Sequence, residues 1–256
     1  MAAFDPAPAA RLLADSWRTG RQLDALPAES RPADVDQGYD VRDALMGQMG
    51  ATAGWKLGVG SASGIRMTGL GRPLAGRLIA SRLHEKGACV RLPNGAPVTF
   101  EFEIAFVLGR DIAPGARPAN PMDAVAAIHT TFELVLSRFV DRRAVGWPSF
   151  AGDSVGFEAL VVGDTLEARD MDAVAQSVVI TADGREVARG LAGDDLTYPL
   201  VAFDYLIEHA RARGATLKRG EIATLGAIGK PFDLAGSVAI EARYLGRTLR
   251  LTTETS

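Results

Sequence analysis

Residues 100 to 108 read Phe-Glu-Phe-Glu-Ile-Ala-Phe-Val-Leu. In a strand, Phe100, Phe102, Ile104, Phe106 and Leu108 share one face, and Glu101, Glu103, Ala105 and Val107 share the other. A solvated face would continue with polar residues, whereas this one turns apolar after Glu103, so the strand is expected to be covered on both sides. Two carboxylates then stand where charge is costly, roughly 7 Å apart along the backbone, and must share a proton or bind a cation. The feature recurs over residues 131 to 139, where Phe132, Leu134 and Leu136 take one face and Glu133 sits on the other with Val135.

The remaining pattern predicts the other elements. Residues 6 to 20 form a short helix stopped by Gly20, read as a surface element, and Asp34 caps a second helix whose apolar side carries Val35, Tyr39, Leu45, Met46 and Met49. A strand over 54 to 60 points Trp55, Leu57 and Val59 one way and leaves Lys56 sharing its face only with glycines. Residues 61 to 87 read as loop and short strand. Asn120-Pro121 starts a helix running to about His129, and residues 142 to 156 read as loop. Asp183-Gly184 marks a hairpin, residues 200 to 213 a helix, and strands are expected near 159–162, 221–225, 238–244 and 248–252. This is an α+β pattern: a helical N-terminal lobe (residues 1–78) before a β-rich body with a mixed sheet (79–256).

The formal net charge of -3 and the lack of a Lys/Arg-rich run recommend neither nucleic acid nor an anionic membrane as partner, which leaves small molecules. With no secretory segment, no apolar run long enough to span a bilayer and a single cysteine, Cys89, the expected location is the cytoplasm. Cys89 receives no chemical role.

Three acids inside apolar strands, Glu101, Glu103 and Glu133, admit two readings. Each could pair with an arginine, or the three could hold one divalent cation; no thiolate or imidazole nearby favours zinc, so that cation would be Mg²⁺ or Mn²⁺. The glycines around Lys56 argue against a lysine kept at a sheet edge for solubility.

Gly54-Trp55-Lys56-Leu57-Gly58, the block Glu101-Phe102-Glu103-Ile104-Ala105-Phe106-Val107-Leu108-Gly109-Arg110-Asp111, and Glu133-Leu134-Val135-Leu136-Ser137-Arg138 resemble the hydratase/decarboxylase branch of the fumarylacetoacetate hydrolase superfamily. The resemblance covers most of the chain. It implies that Glu101, Glu103 and Glu133 hold Mg²⁺ or Mn²⁺, and that the metal chelates the carboxylate and 2-oxo oxygen of a 2-oxo acid. Lys56 falls on the family's lysine, for proton transfer or for pairing with a substrate carboxylate, and relatives imply a homo-oligomer. Ser137, Asp153 and Thr224 are the expected polar contacts to substrate. Departures concentrate in that half of the site: Leu136 replaces an aspartate, Ala151-Gly152-Asp153-Ser154-Val155 replaces a more polar loop, and Leu225 and Ala227 replace two hydroxyl residues.

Other motifs carry less. Residues 58 to 64 are glycine-rich like a phosphate loop but show no following helical pattern, and residues 226 to 231 lack the Ser/Thr and helix of a P-loop. His84, His129 and His209 are isolated, the last two placed near helix ends as surface or capping residues. The expected activity is a metal-dependent lyase, most simply a hydratase of a 2-hydroxyalka-2,4-dienoate in aromatic catabolism. The alternatives are a 2-oxo-enedioate decarboxylase, an acylpyruvate-type C–C hydrolase, and a non-catalytic 2-oxo acid binder or structural partner of an active relative.

Overall fold

The computed structural model describes residues 3–255. Two helices open the chain, α1 (Ala7–Thr19) and α2 (Val35–Met49), the second capped by the Asp34 carboxylate, which accepts from the Gln37 N–H. Then come β1 (Thr52–Gly58), α3 (Ala62–Thr68), β2 (Leu74–Ile79), β3 (Leu83–Glu85), β4 (Cys89–Leu92), β5 (Val98–Leu108) and β6 (Val125–Val135). The rest comprises α4 (Gly146–Gly152), β7 (Phe157–Thr165), α5 (Met171–Ser177), β8 (Val179–Ala182), β9 (Arg185–Arg189), α6 (Pro199–Ala212), β10 (Ile222–Ala227), β11 (Phe232–Leu234), β12 (Ala239–Tyr244) and β13 (Arg247–Thr255).

The strands form two sheets. The larger runs β2-β1-β10-β5-β6-β7-β3 with β11 added to β5, and the smaller runs β4-β13-β12-β8-β9. Most pairs are antiparallel, but β1–β10, β3–β7 and β4–β13 are parallel, so both sheets are mixed as expected. Strands β1 and β2 come from the N-terminal part of the chain yet belong to the same sheet as β5 and β6.

Strand β5 is covered on both faces. Phe100, Phe102, Ile104, Phe106 and Leu108 enter the main core, where Phe102 meets Phe132 and Tyr244 of the smaller sheet. On the opposite face, Ala105 and Val107 pack with Leu13, Trp17, Val41 and Leu45 of α1 and α2. The helices therefore cover the end of that face where the glutamates stop. This corrects the reading of the first helix as a surface element: Ala9, Ala10, Leu13, Ala14 and Trp17 are buried.

Three further expectations change. Asn120 and Pro121 start only one 3-10 turn, Pro121–Ala124; from Val125 the chain is strand, because pairing with β5 from Leu108 back to Thr99 overrides the local helix signal. Residues 61 to 68 are not loop: the Ser61 hydroxyl accepts from the Gly64 N–H and caps α3, a seven-residue helix whose composition hides it. Residues 146 to 152 fold as α4 despite Gly146 and Pro148, packed against α2.

Candidate metal centre

One face of the larger sheet carries the candidate chemistry. Lys56 on β1 pairs with Thr224 on β10, Thr224 with Ala105 on β5, Ala227 with Glu103, and Glu101 directly with Glu133 on β6. Paired residues point to the same side of a sheet, so all these side chains share a face. Lys56 and Glu133 nevertheless meet: Nζ lies 2.5 Å from Glu133 Oε1. Three strand spacings, roughly 14 Å on a flat sheet, separate their backbones, so the sheet must curl around this face.

Glu103 and Glu133 are fully buried and Glu101 is partly so. One oxygen from each lies within 4.8 Å of the others. Glu103 Oε2 accepts from the Gly226 N–H at 3.0 Å and closely from the Thr224 hydroxyl. Gly226, at φ +97°, makes the irregularity between Thr224 and Ala227 that turns this N–H toward the acid. Glu103 Oε1 and both oxygens of Glu133 have no hydrogen-bond partner; the Lys56 ammonium is close enough for an ion pair but is not aligned as a donor to Glu133. No arginine lies within ion-pair distance of any of the three acids among the described residues, although the Arg142 charge reaches Glu133 and opposes the rise in its pKa.

Burial pushes Glu103 well above the usual carboxylate range, reinforced by the charges of Glu133 and Glu101. Burial likewise raises Glu133 to about 7, with Lys56 opposing and Glu101 adding to the rise. Three repelling carboxylates with one ammonium and unused oxygens fit a hard dication bound through oxygen. The donor set contains no sulfur or imidazole.

Lys56 is held from behind. Its Nζ donates to the Val155 carbonyl at 3.1 Å, and its neighbour across the strands is Gly76, where a Cβ would stand 2.7 Å from Lys56 Cγ. Val155 has φ +54°, unusual for a β-branched residue, and follows Ser154 at φ +50°. The Ser154 hydroxyl fixes this turn by accepting from the Arg77 N–H and donating to the Arg77 carbonyl. Local strain is thus retained where a backbone carbonyl must reach the ammonium.

Two adjoining cavities open beside the acids, of about 120 and 750 Å³, sharing Val59, Met67 and Glu101 in their walls. Lys56, Arg142, Trp147 and Phe150 line the smaller; Ser61, Thr197, Ala227 and Lys230 line the larger.

The other expected contacts lie elsewhere. Ser137 donates to Asp153 at 2.7 Å, and Asp153 takes both the backbone N–H (2.9 Å) and the Nε (2.5 Å) of Arg138, which also reaches Glu158. Neither residue lines the two cavities; Ser137 borders a third, of about 380 Å³, which shares Val135, Arg142 and Arg143 with the smaller one. The strand ends at Val135, so Ser137 lies past the strand that carries Glu133. Thr224 is fully buried and serves Glu103 rather than standing in the cavity wall. Leu136 and Leu225 are core residues, while Ala227 opens on the larger cavity.

Neither His129 nor His209 caps a helix. His129 is in β6, its Nδ1 3.0 Å from the Gly163 carbonyl. His209 is buried in α6 against Tyr39 and Trp55, and burial with the Arg42 charge pushes it down to about 3. Missed in the sequence were Arg142, the Val155 carbonyl and the Gly226 N–H. The Arg142-Arg143 doublet soon after the Glu133 strand was the available signal for the first, whereas backbone groups leave none.

A mixed sheet curled around three clustered carboxylates defines an α+β architecture with a candidate metal centre. The fumarylacetoacetate (FAA) hydrolase C-terminal model matches residues 73–247, more than half of the chain, and the chain belongs to that family. It is 30% identical over 181 residues to a 2-keto-4-pentenoate hydratase of Paraburkholderia phymatum, covering 69% of this chain and 68% of the relative. It is 25% identical over 195 residues to a 4-oxalocrotonate decarboxylase of a Pseudomonas species, covering 75% of each. In three dimensions it resembles the 4-oxalocrotonate decarboxylase of Pseudomonas putida G7, solved with magnesium and adipate, at a TM-score of 0.85 with 18% identity, over 98% of this chain and 97% of that one.

Proposed function

We propose that the protein is a Mg²⁺- or Mn²⁺-dependent lyase of 2-oxo acids and their dienols, with hydration of a 2-hydroxyalka-2,4-dienoate as its reaction. The observation that carries the proposal is the meeting of Glu101, Glu103, Glu133 and Lys56 on one face beside a cavity. Hydratase and decarboxylase relatives support this reaction class.

Glu101, Glu103 and Glu133 would hold the cation, which supplies Lewis-acid stabilisation of negative charge developing on a 2-oxo oxygen. Thr224 and the Gly226 N–H orient Glu103. Lys56 gives or takes the proton at Nζ, its position fixed by Glu133 and the Val155 carbonyl. Val59, Trp147, Phe150 and Val155 keep the surroundings apolar, which strengthens every charge interaction there. No histidine lines either cavity, which weighs against a hydrolase using a histidine base.

A second reading, a non-catalytic 2-oxo acid binder, draws on the apolar residues Leu136, Leu225 and Ala227 at positions where hydroxyls or an acid were expected. Purified protein with Mg²⁺ or Mn²⁺, offered 2-hydroxydienoates and 2-oxo-enoates, separates the two. Metal-dependent loss of dienol absorbance supports the lyase. Binding of oxalate or pyruvate without turnover of any substrate supports the binder and removes the lyase.

A further inference from the structure

Thr197 stands just before α6, is 3% exposed, and lines the 750 Å³ cavity beside the acids. Its backbone N–H donates to the Ala227 carbonyl at 3.2 Å, whereas its hydroxyl has no hydrogen-bond partner among the described residues. A polar group withdrawn from bulk water ordinarily has a partner, so a free hydroxyl on a cavity wall is a place for a ligand oxygen.

The other polar side chains of that wall are committed or exposed. Ser61 Oγ accepts from the Gly64 N–H at 3.1 Å, Ser63 donates to Asp195 at 2.7 Å, and Lys230 is exposed. Glu101 belongs to the acid cluster, and Leu57, Val59, Leu191 and Ala227 bring no polar side chain.

Two glycines make room for Thr197. A Cβ on Gly60 would stand 3.2 Å from Thr197 Cγ2, and one on Gly226 would stand 3.0 Å from both Cγ2 and Oγ1. Gly226 is also the residue whose N–H holds Glu103 Oε2, at 3.0 Å. A Cβ lies about 2.5 Å from its own N, so the Thr197 hydroxyl is no more than about 8.5 Å from that carboxylate oxygen. An acid of about five carbons bridges such a separation.

We infer that Thr197 is a substrate-binding residue whose hydroxyl bonds to an oxygen on C4 of a 2-oxo acid, so that the site prefers 4-hydroxy-2-oxo acids to 2-oxo acids without that hydroxyl. This rests on the proposed function. Adding one water to the dienoate, with no other reactant, leaves a hydroxyl on C4 of a 2-oxo acid. The carboxylate and the 2-oxo group are assigned to the glutamate end, which leaves the C4 oxygen for the cavity wall. A threonine hydroxyl both donates and accepts, and its β-branched side chain has few rotamers to lose on binding.

Titration calorimetry with 4-hydroxy-2-oxopentanoate and 2-oxopentanoate, in Mg²⁺, tests it on the wild type, Thr197→Val and Thr197→Ser. The wild type should prefer the hydroxylated acid by roughly fivefold, and Thr197→Val should bring the two within about twofold. Thr197→Ser should keep most of the preference, and all three proteins should retain Mg²⁺ binding, since valine fills the same space beside Gly226. Equal affinities in the wild type, or a preference that survives in Thr197→Val, overturn the inference. Loss of Mg²⁺ binding in Thr197→Val also overturns it, making Thr197 a support of the Gly226 turn. If both acids bind only with Mg²⁺ but equally, the Thr197 assignment alone fails. If neither shows Mg²⁺-dependent binding, the proposed function fails and this inference with it.

Discussion

Lys56 Nζ stands 2.5 Å from Glu133 Oε1, with both side chains out of water and two strands, β10 and β5, between the strands that carry them. The ammonium is the main compensation for a carboxylate that burial would otherwise keep protonated. Lys56→Met should therefore destabilise the metal-free protein by about 3 kcal/mol. Added Mg²⁺ should recover most of the loss, because the cation takes over the charge of Glu133. Denaturant unfolding with and without Mg²⁺ checks this; a loss untouched by Mg²⁺ would separate Glu133 from the metal. Turnover, where measured, should be abolished in the same variant.

Thr224 acts through Glu103. Thr224→Val keeps shape but deletes the hydroxyl that Glu103 accepts from. Divalent-metal affinity should fall by roughly 10- to 100-fold with little change in melting temperature. An unchanged affinity would make Thr224 a packing residue only.

The Asp153–Arg138–Glu158 network is a structural lock behind the site. Arg138 is almost fully buried, also stacked 3.9 Å from the centre of Trp17 on α1, and Asp153 is its closest acid. Asp153→Ala should cost about 3–5 kcal/mol of stability, since it strands a buried guanidinium. Metal affinity of the folded fraction should be unchanged. A variant that folds normally but binds metal poorly would return Asp153 to the site.

His209 sets one part of the acid response. Its folded-state pKa, about 3, lies below the ordinary histidine value of 6.5, so the unfolded chain binds the proton more tightly. The corresponding stability is fully present above pH 6.5 and is lost as pH falls from there toward 3, on the order of a few kcal/mol. His209→Phe should flatten the stability profile across that window relative to wild type. Parallel profiles would show that His209 binds its proton equally well in the folded and unfolded chain, against the shift its burial implies.

The acids were legible because burial contradicts charge: Glu101, Glu103 and Glu133 stood in apolar alternation that a solvated strand would not keep. Lys56 was legible through the glycines that clear its side. The extent of β6 was not, because Asn120-Pro121 signals a helix locally and only the neighbouring strand overrules it from Val125 onward. Nor was the placement of Ser137 and Asp153, which depends on where β6 stops and the chain turns. Arg142 is assigned to the cavity by its fold position, seated over Thr99, not by any periodicity of its own segment.

Mn²⁺ binding, followed by electron paramagnetic resonance titration of wild type and Glu103→Gln, tests the three-glutamate centre most directly. Glu103→Gln preserves the shape of the side chain and removes one ligand charge. The wild type should bind one Mn²⁺ per chain, more tightly as pH rises through about 7, where Glu133 gives up its proton. Glu103→Gln should lose at least roughly a hundredfold in affinity. Equal Mn²⁺ affinity in the two proteins would contradict the assignment of these carboxylates as a metal centre.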